Sequence, residues 1–293
     1  MEIGAKTGAK DSIFWPKPSL KLGAKLYSLD HPLIMGILNI SPDSFYDGGR
    51  YENRESILHQ VKKMREEGAD IIDIGAASSR PGASIISPKE EIKRLEPSLK
   101  LIREEFPDQI VSVDTFHSET AKASADFGAH MINDISGGIM DPLMVKTMGK
   151  LDLPYIMMHM QGQPQNMQDS PKYENLLGEI CYFFSEQIAK FQDAGLKDII
   201  LDPGFGFGKT LEHNYELLAK FEEFHIFEKP LLVGLSRKSM IYKLLENDPE
   251  NALNGTTVAH SMALQKGAHI LRVHDVRAAK EAAKIVTFTQ NLT

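Results

Sequence analysis

Ile199-Ile-Leu-Asp-Pro-Gly-Phe-Gly-Phe-Gly-Lys-Thr210 is an apolar run that ends in an acid and opens into glycines. Its apolar part has the length and composition of a buried parallel strand. Asp202 then stands at the carboxyl end of that strand, and Pro203, which lacks a backbone donor, stops the pairing. Gly204, Gly206 and Gly208 allow the backbone to approach a ligand closely, and Phe205 and Phe207 add apolar or stacking surface. Two better-known loops do not fit. A phosphate-cradling P-loop needs glycine where Pro203 stands, and a dinucleotide fingerprint needs a third glycine at Lys209. An ordinary strand-to-helix turn remains open until the rest of the chain is read.

Working outward, the same unit repeats. Strand-length apolar runs occur at 33–38, 71–75, 110–114, 130–135, 155–159, 199–202, 231–235 and 269–273. Helical patterns lie between and after them, at 54–67, 89–105, 118–127, 141–150, 173–194, 211–224, 252–266 and 276–290. Gly68, Gly128, Gly195 and Gly267 each sit at a helix end just before the next run, where a left-handed cap is expected. Eight alternating units in a chain of 293 residues predict an α/β fold of the (β/α)8 or TIM-barrel type. A doubly wound open sheet is the alternative. Leu20–Leu26 alternates about Gly23 and predicts a short N-terminal hairpin, placed to plug one end of the barrel. Residues 1–15 carry no clear pattern, and the whole chain reads as one domain.

Polar residues gather where the runs end. Asn39 follows the first run, Asp73 lies within the second and Ser78–Arg80 after it. Asp114 ends the third, Asn133 and Asp134 the fourth, His159 the fifth and Asp202 the sixth. Ser236–Lys238 follow the seventh, and Arg272–His274 close the eighth. In a closed barrel these ends share one rim, which is where such folds place their active sites. The loops 41–50 and 78–84, rich in Gly, Ser and Pro, read as lids, and 160–170 is also long and polar.

Net charge is −7, which argues against a nucleic-acid or membrane-surface role. No apolar stretch reaches membrane-spanning length, and Met1–Lys10 has no signal-peptide core. The expectation is a cytoplasmic enzyme. Cys181, the single cysteine, lies in apolar Ile-Cys-Tyr-Phe-Phe and reads as a buried thiol.

Asp114, Asn133 and Asp202 suit a flat heterocycle with amino and amide edges. A carboxylate accepts two parallel hydrogen bonds from a guanidine-like edge, and Asn both donates and accepts. The blander possibility is that these acids merely pair with Lys or Arg. Arg80, Lys238, Arg272 and His274 form a positive set suited to phosphate or pyrophosphate, with solvated surface charge as the alternative. Arg272 and His274 are two apart on one strand and point the same way. Asn39 offers an oxygen to a hard cation and fits Mg²⁺ held jointly with phosphates, or else simply starts a turn before Ser-Pro. His159, on an apolar strand, reads equally as a core or a functional histidine.

At these residues the sequence resembles the dihydropteroate synthase family. The matching stretches are Met35-Gly-Ile-Leu-Asn-Ile-Ser-Pro-Asp-Ser-Phe45 with Asp47-Gly-Gly49, Asp73-Ile-Gly75, Ser79-Arg-Pro-Gly82, Val113-Asp-Thr115, Ile132-Asn-Asp-Ile-Ser-Gly-Gly138, Met158-His-Met-Gln-Gly162, Asp202–Lys209, Gly234-Leu-Ser-Arg-Lys-Ser239 and Arg272-Val-His-Asp275. They run in the family's order across almost the whole chain. The second loop departs from the pattern: Ala76-Ala77-Ser78-Ser79 replaces a stretch that often carries Glu and Thr.

The resemblance implies a transferase of folate biosynthesis, the target of sulfonamides. It condenses 6-hydroxymethyl-7,8-dihydropterin pyrophosphate with p-aminobenzoate, giving 7,8-dihydropteroate and pyrophosphate. By the same resemblance, Asp114, Asn133, Met158, Asp202, Lys238 and Arg272 bind the pterin. Phe45, Arg80, Pro81, Phe207 and Ser236 bound the p-aminobenzoate pocket. Asn39, Ser79, Arg80, Arg272 and His274 bind the pyrophosphate, with Mg²⁺ at Asn39. Lys238, Arg272, His274 and Arg80 are the catalytic set, and the family implies a homodimer. Three other readings stay in view: a corrinoid-linked pterin methyltransferase, a Schiff-base aldolase using Lys238, and a non-catalytic pterin-binding paralogue.

Overall fold

The computed structural model describes residues 18–23, 25–40, 50–76, 85–163, 167 and 171–292, with side chains from 54 onward in the third stretch. The predicted hairpin is present: β1 (Ser19–Leu22) pairs antiparallel with β2 (Lys25–Ser28), turning at Gly23, whose φ is +62°.

Eight parallel strands follow, each leading into a helix: β3 (Leu33–Asn39), β4 (Ile71–Gly75), β5 (Ile110–Asp114), β6 (Met131–Asp134), β7 (Tyr155–Met158), β8 (Ile199–Asp202), β9 (Leu232–Val233) and β10 (Ile270–Val273). The helices are α1 (Arg50–Glu67), α2 (Pro88–Glu105), α3 (Ser118–Asp126), α4 (Met144–Leu151), α5 (Leu176–Asp193), α6 (Leu211–Ala219), α7 (Ser239–Leu244), α8 (Leu253–Gln265) and α9 (Val276–Gln290). The strands are ordered β8-β7-β6-β5-β4-β3-β10-β9. The remaining seam, β8 to β9, is joined by a parallel bridge between Leu201 and Leu231 and by Leu201 N donating to Pro230 O at 2.9 Å. The sheet therefore closes, and the open-sheet alternative falls.

Two differences from the predicted elements are instructive. The pattern at 211–224 breaks at Lys220, and Phe221–Phe227 continues as a 3₁₀ helix that buries Phe221 and Phe224. The six-residue α7, straight after Lys238, has too short a period to be read from sequence.

Side-chain alternation explains the interior. One apolar cluster takes an inward residue from every barrel strand, namely Met35, Ile71, Ile110, Met131, Ile156, Ile200, Leu232 and Ile270, with Leu33 of β3 in addition. Leu20, Leu22 and Leu29 from the hairpin segment join the same cluster, so the hairpin is the plug at the strands' amino ends. Residues of the opposite parity, such as Ile72, Val111, Ile132, Leu201 and Leu271, pack outward against the helices. Cys181 is only half-buried on α5, and burial raises its thiol pKa.

Candidate active site

Two residues beyond each floor residue, the inward positions change character: Ile37, Asp73, Ser112, Asn133, Met158, Asp202, Gly234 and Arg272. One pleat higher stand Asn39, Gly75, Asp114, Ser236 and His274. The polar tier rests directly on the apolar floor, at the carboxyl ends of the strands.

Arg272 is the hub. Its Nε donates to Asp73 Oδ2 at 2.6 Å and its Nη2 to Asp114 Oδ2 at 2.7 Å. Asn133 Nδ2 donates to the same Asp73 oxygen at 3.0 Å. Burial works against the charge of Arg272, but Asp73 and Asp114 outweigh it and raise its pKa. Burial pushes the Asp114 carboxyl up to about 7 against the pull of Arg272. Asp73 is fully buried, and its Oδ1 has no partner among the described residues.

Asp202 is pinned by the amide of Gly204, which donates to Oδ1 at 2.8 Å. Burial raises its pKa, opposed by that amide, Lys238, Lys209 and Arg272. Lys238 donates to Phe205 O and lies with Nζ 4.1 Å from the centre of the Phe207 ring. Burial lowers its pKa to about 8, with Asp202 favouring the charge and Arg272 opposing it. The Ser236 hydroxyl is engaged by His274, 3.0 Å from Nδ1 and accepting from the backbone N at 3.1 Å. Burial, then Arg272, lowers the His274 pKa. Asn39 is exposed at the mouth. A Cβ on Gly75 would stand 3.8 Å from both Asn39 Oδ1 and Asp114 Oδ2, whereas a Cβ on Gly234 would meet nothing within 4 Å. The rim thus leaves open space beside Gly234.

The glycine loop makes room for protein as much as for ligand. Gly204 and Gly208 have φ of +73° and +61°, and a Cβ on them would stand 2.0 Å from His159 O and 2.4 Å from Gln161 O. Only glycine satisfies both demands. Asp114, Asn133, Met158, Asp202, Lys238, Arg272, Phe207, Ser236, His274 and Asn39 are all placed on this rim or the loop beside it. Phe45, Ser79, Arg80, Pro81 and the loops 41–49 and 77–84 lie outside the described residues.

Sequence reasoning gave no role to three groups. Asp73 was legible as an acid inside an apolar strand. Lys209, buried behind the glycine loop, has no sequence signal, because a lysine after glycines looks like a solvated turn. Arg237 has φ +53° and is held by Asp275 at 2.8 and 2.9 Å and by the carbonyls of Pro249 and Glu250. That strained backbone sets the exit of the adjacent Lys238.

A closed barrel whose rim sets buried acids and an amide beside Arg272, Lys238 and His274 defines a class: an enzyme that holds a flat nitrogen heterocycle next to an anion. The family model of pterin binding enzymes matches residues 35–274. A dihydropteroate synthase of Escherichia coli strain K12 is 46% identical over 274 residues, covering 92% of this chain and 96% of the relative. The Yersinia pestis dihydropteroate synthase solved with a sulfonamide drug complex is 44% identical with a TM-score of 0.87, covering 94% of this chain and all of that one. The Xanthomonas albilineans dihydropteroate synthase solved with 4-aminobenzoic acid is 37% identical with a TM-score of 0.85, over 94% and 98% of the two chains. The chain belongs to the dihydropteroate synthase family of pterin-binding enzymes.

Proposed function

We infer that the chain acts as a dihydropteroate synthase, a transferase that joins 6-hydroxymethyl-7,8-dihydropterin pyrophosphate to p-aminobenzoate. The observation that carries the reading is the inward tier of Asp73, Asn133, Asp202 and Arg272, with Asp114 above it, on an apolar floor. In the reaction the methylene C–O bond to pyrophosphate breaks, the aniline nitrogen forms the new C–N bond, and that nitrogen releases a proton. Asp202, Asn133 and Asp114 take the donors and acceptors of the pterin edge, and Asp73 Oδ1 is available for one more donor. Met158 packs against the ring. Lys238 and Phe207 form the wall between the pterin and the p-aminobenzoate pocket, which Ser236, Phe45, Arg80 and Pro81 complete. Arg272 and His274 stabilise the charge that develops as the pyrophosphate leaves, and the family resemblance gives Ser79 and Arg80 the same role. Arg272 Nη1 makes no hydrogen bond to a described residue, so one arm of the guanidinium stays open to the anion.

Mg²⁺ fits this site in a limited sense. Among the described residues no cluster of three His, Cys, Asp or Glu is built for a metal. Asn39 supplies one amide oxygen, and Mg²⁺ commonly keeps waters and takes its other ligands from substrate phosphates. When bound, the ion would neutralise charge on the leaving pyrophosphate.

A cytoplasmic location agrees with the charge and composition. No helix among the described residues is long and apolar enough to cross a membrane. A homodimer has a surface to match: Ile285, Phe288 and Leu292 lie exposed along one stripe of α9 and its end, beside Val258 and Met262 of the adjoining α8. Phe288→Glu is expected to convert a dimer to a monomer in sedimentation equilibrium, and an unchanged mass would remove this face from the interface. The reaction itself is tested by incubating the protein with both substrates and Mg²⁺ and measuring dihydropteroate and pyrophosphate. Their equimolar appearance is expected, and no product would overturn the assignment.

A further inference from the structure

Behind the glycine loop lies a second buried lysine that the reaction does not use. Lys209 is 3% exposed. Its Nζ donates to Gly204 O and Phe207 O, both at 3.0 Å, and stands 3.1 Å from His159 Nδ1, with His159 O more distant at 3.4 Å. No carboxylate among the described residues forms an ion pair with it. As an ammonium, Nζ has three donors for the two carbonyl oxygens and the imidazole nitrogen. With Lys209 charged, His159 Nδ1 accepts and the imidazole proton sits on Nε2.

The loop so held is the one that shapes the substrate pocket. Gly204 pins Asp202, Phe205 O receives Lys238, and Phe207 lies under the Lys238 ammonium. Asn214 of α6 braces the same loop, accepting from Gly206 N at 2.6 Å and donating to Lys209 O at 3.3 Å. Freeing the Gly204 and Phe207 carbonyls would let Phe207 and the Lys238 contact drift, while Asp202, on its strand, would keep its place.

We propose that Lys209 is a positioning residue: its ammonium, seated on His159 Nδ1, clamps the Gly204–Phe207 backbone and so sets the p-aminobenzoate side of the site. The charged and titratable groups facing it are His159 at the end of β7, Asp202 on β8 and Lys238 after β9, with Tyr173 tilted against the imidazole and His213 edge-on to Tyr173. Burial lowers the Lys209 pKa to about 7 and holds His159 well below its ordinary value, so the pair holds at most one charge, which sits on Lys209 and is lost as pH rises through about 7.

The proposal rests on the substrate assignment above, and the test separates the two. In Lys209→Met, the KM for p-aminobenzoate is expected to rise about tenfold or more, while the affinity for the pterin pyrophosphate, measured by calorimetry, changes by less than about threefold. His159→Asn keeps an acceptor the same number of bonds from Cα as Nδ1 and is expected to stay within about twofold of the parent. His159→Phe removes the acceptor while keeping a ring, and is expected to raise the same KM by about fivefold. Should the lysine variant fail to fold, the two histidine variants carry the test. A role in packing alone predicts the reverse order, with Phe tolerated better than Asn, and that order, or unchanged KM values in all three, would overturn the clamp. Amide hydrogen exchange across Phe205–Gly208 reads the clamp without turnover. Faster exchange in the variants supports it, and exchange equal to the parent overturns it, even if the parent chain proves not to form dihydropteroate.

Discussion

Arg272 is asked to serve the fold and the anion at once. The family resemblance makes it a ligand for pyrophosphate, yet its Nε and Nη2 are committed to Asp73 and Asp114. Two carboxylates at the barrel centre would be costly without it, because breaking a buried pair leaves an uncompensated charge. Arg272→Met is therefore expected to lower unfolding free energy by about 3–5 kcal/mol in urea titrations. Adding Asp114→Asn should return part of that loss, because one orphaned charge disappears. Strict additivity of the two substitutions would show that the acid and the guanidinium are not coupled. At this scale the acids were legible as site residues, but their mutual pairing was not. In the chain, Asp73 and Asp114 lie 199 and 158 residues from Arg272.

The N-terminal hairpin illustrates what an element contributes. Leu20 and Leu22 are 1% and 2% exposed and close the floor to which every barrel strand contributes. Leu22→Ala should cost about 2–5 kcal/mol, since a large apolar side chain is removed from a packed interior. The polar tier lies on the other side of the floor, so pterin affinity measured by calorimetry should be unchanged within error. A matching loss of affinity would mean that the floor moves with the plug. The strand alternation made the hairpin and its plugging role readable, because a two-residue period with one apolar face demands a partner.

For the molecule as a whole, acid sensitivity has an identifiable contributor away from the site. His260 on α8 is 2% exposed, and its Nε2 has no partner among the described residues. Burial depresses its pKa to about 4, opposed only by Asp275. The unfolded chain takes up this proton below pH about 6.5 while the folded chain refuses it until about 4. The folded state thus binds fewer protons in that window, and stability falls as pH drops through it. The slope from one such group is at most about 1.4 kcal/mol per pH unit. Relative to the parent, His260→Leu should gain roughly 2–3 kcal/mol in unfolding free energy between pH 7 and pH 4. A difference that stays constant with pH would show that His260 is not the group responsible.

The repeated strand and helix periods determined the barrel, its eight units and the end on which function sits. The reason is that hydrophobic periodicity is local and burial on both faces of a parallel strand leaves an apolar run whatever lies across the sheet. Asp114, Asn133, Asp202, Lys238 and Arg272 could be named for the same reason: each interrupts such a run at its carboxyl end. What faces what was decided only in three dimensions. Curling of the sheet through β5, β4, β3 and β10 set Arg272 between Asp73 and Asp114, and packing of the end of β7 against the glycine loop brought His159 to Lys209. Pairings of that kind depend on backbone positions brought together across the barrel and on how many acceptors a buried ammonium finds there. No local pattern in the chain encodes either.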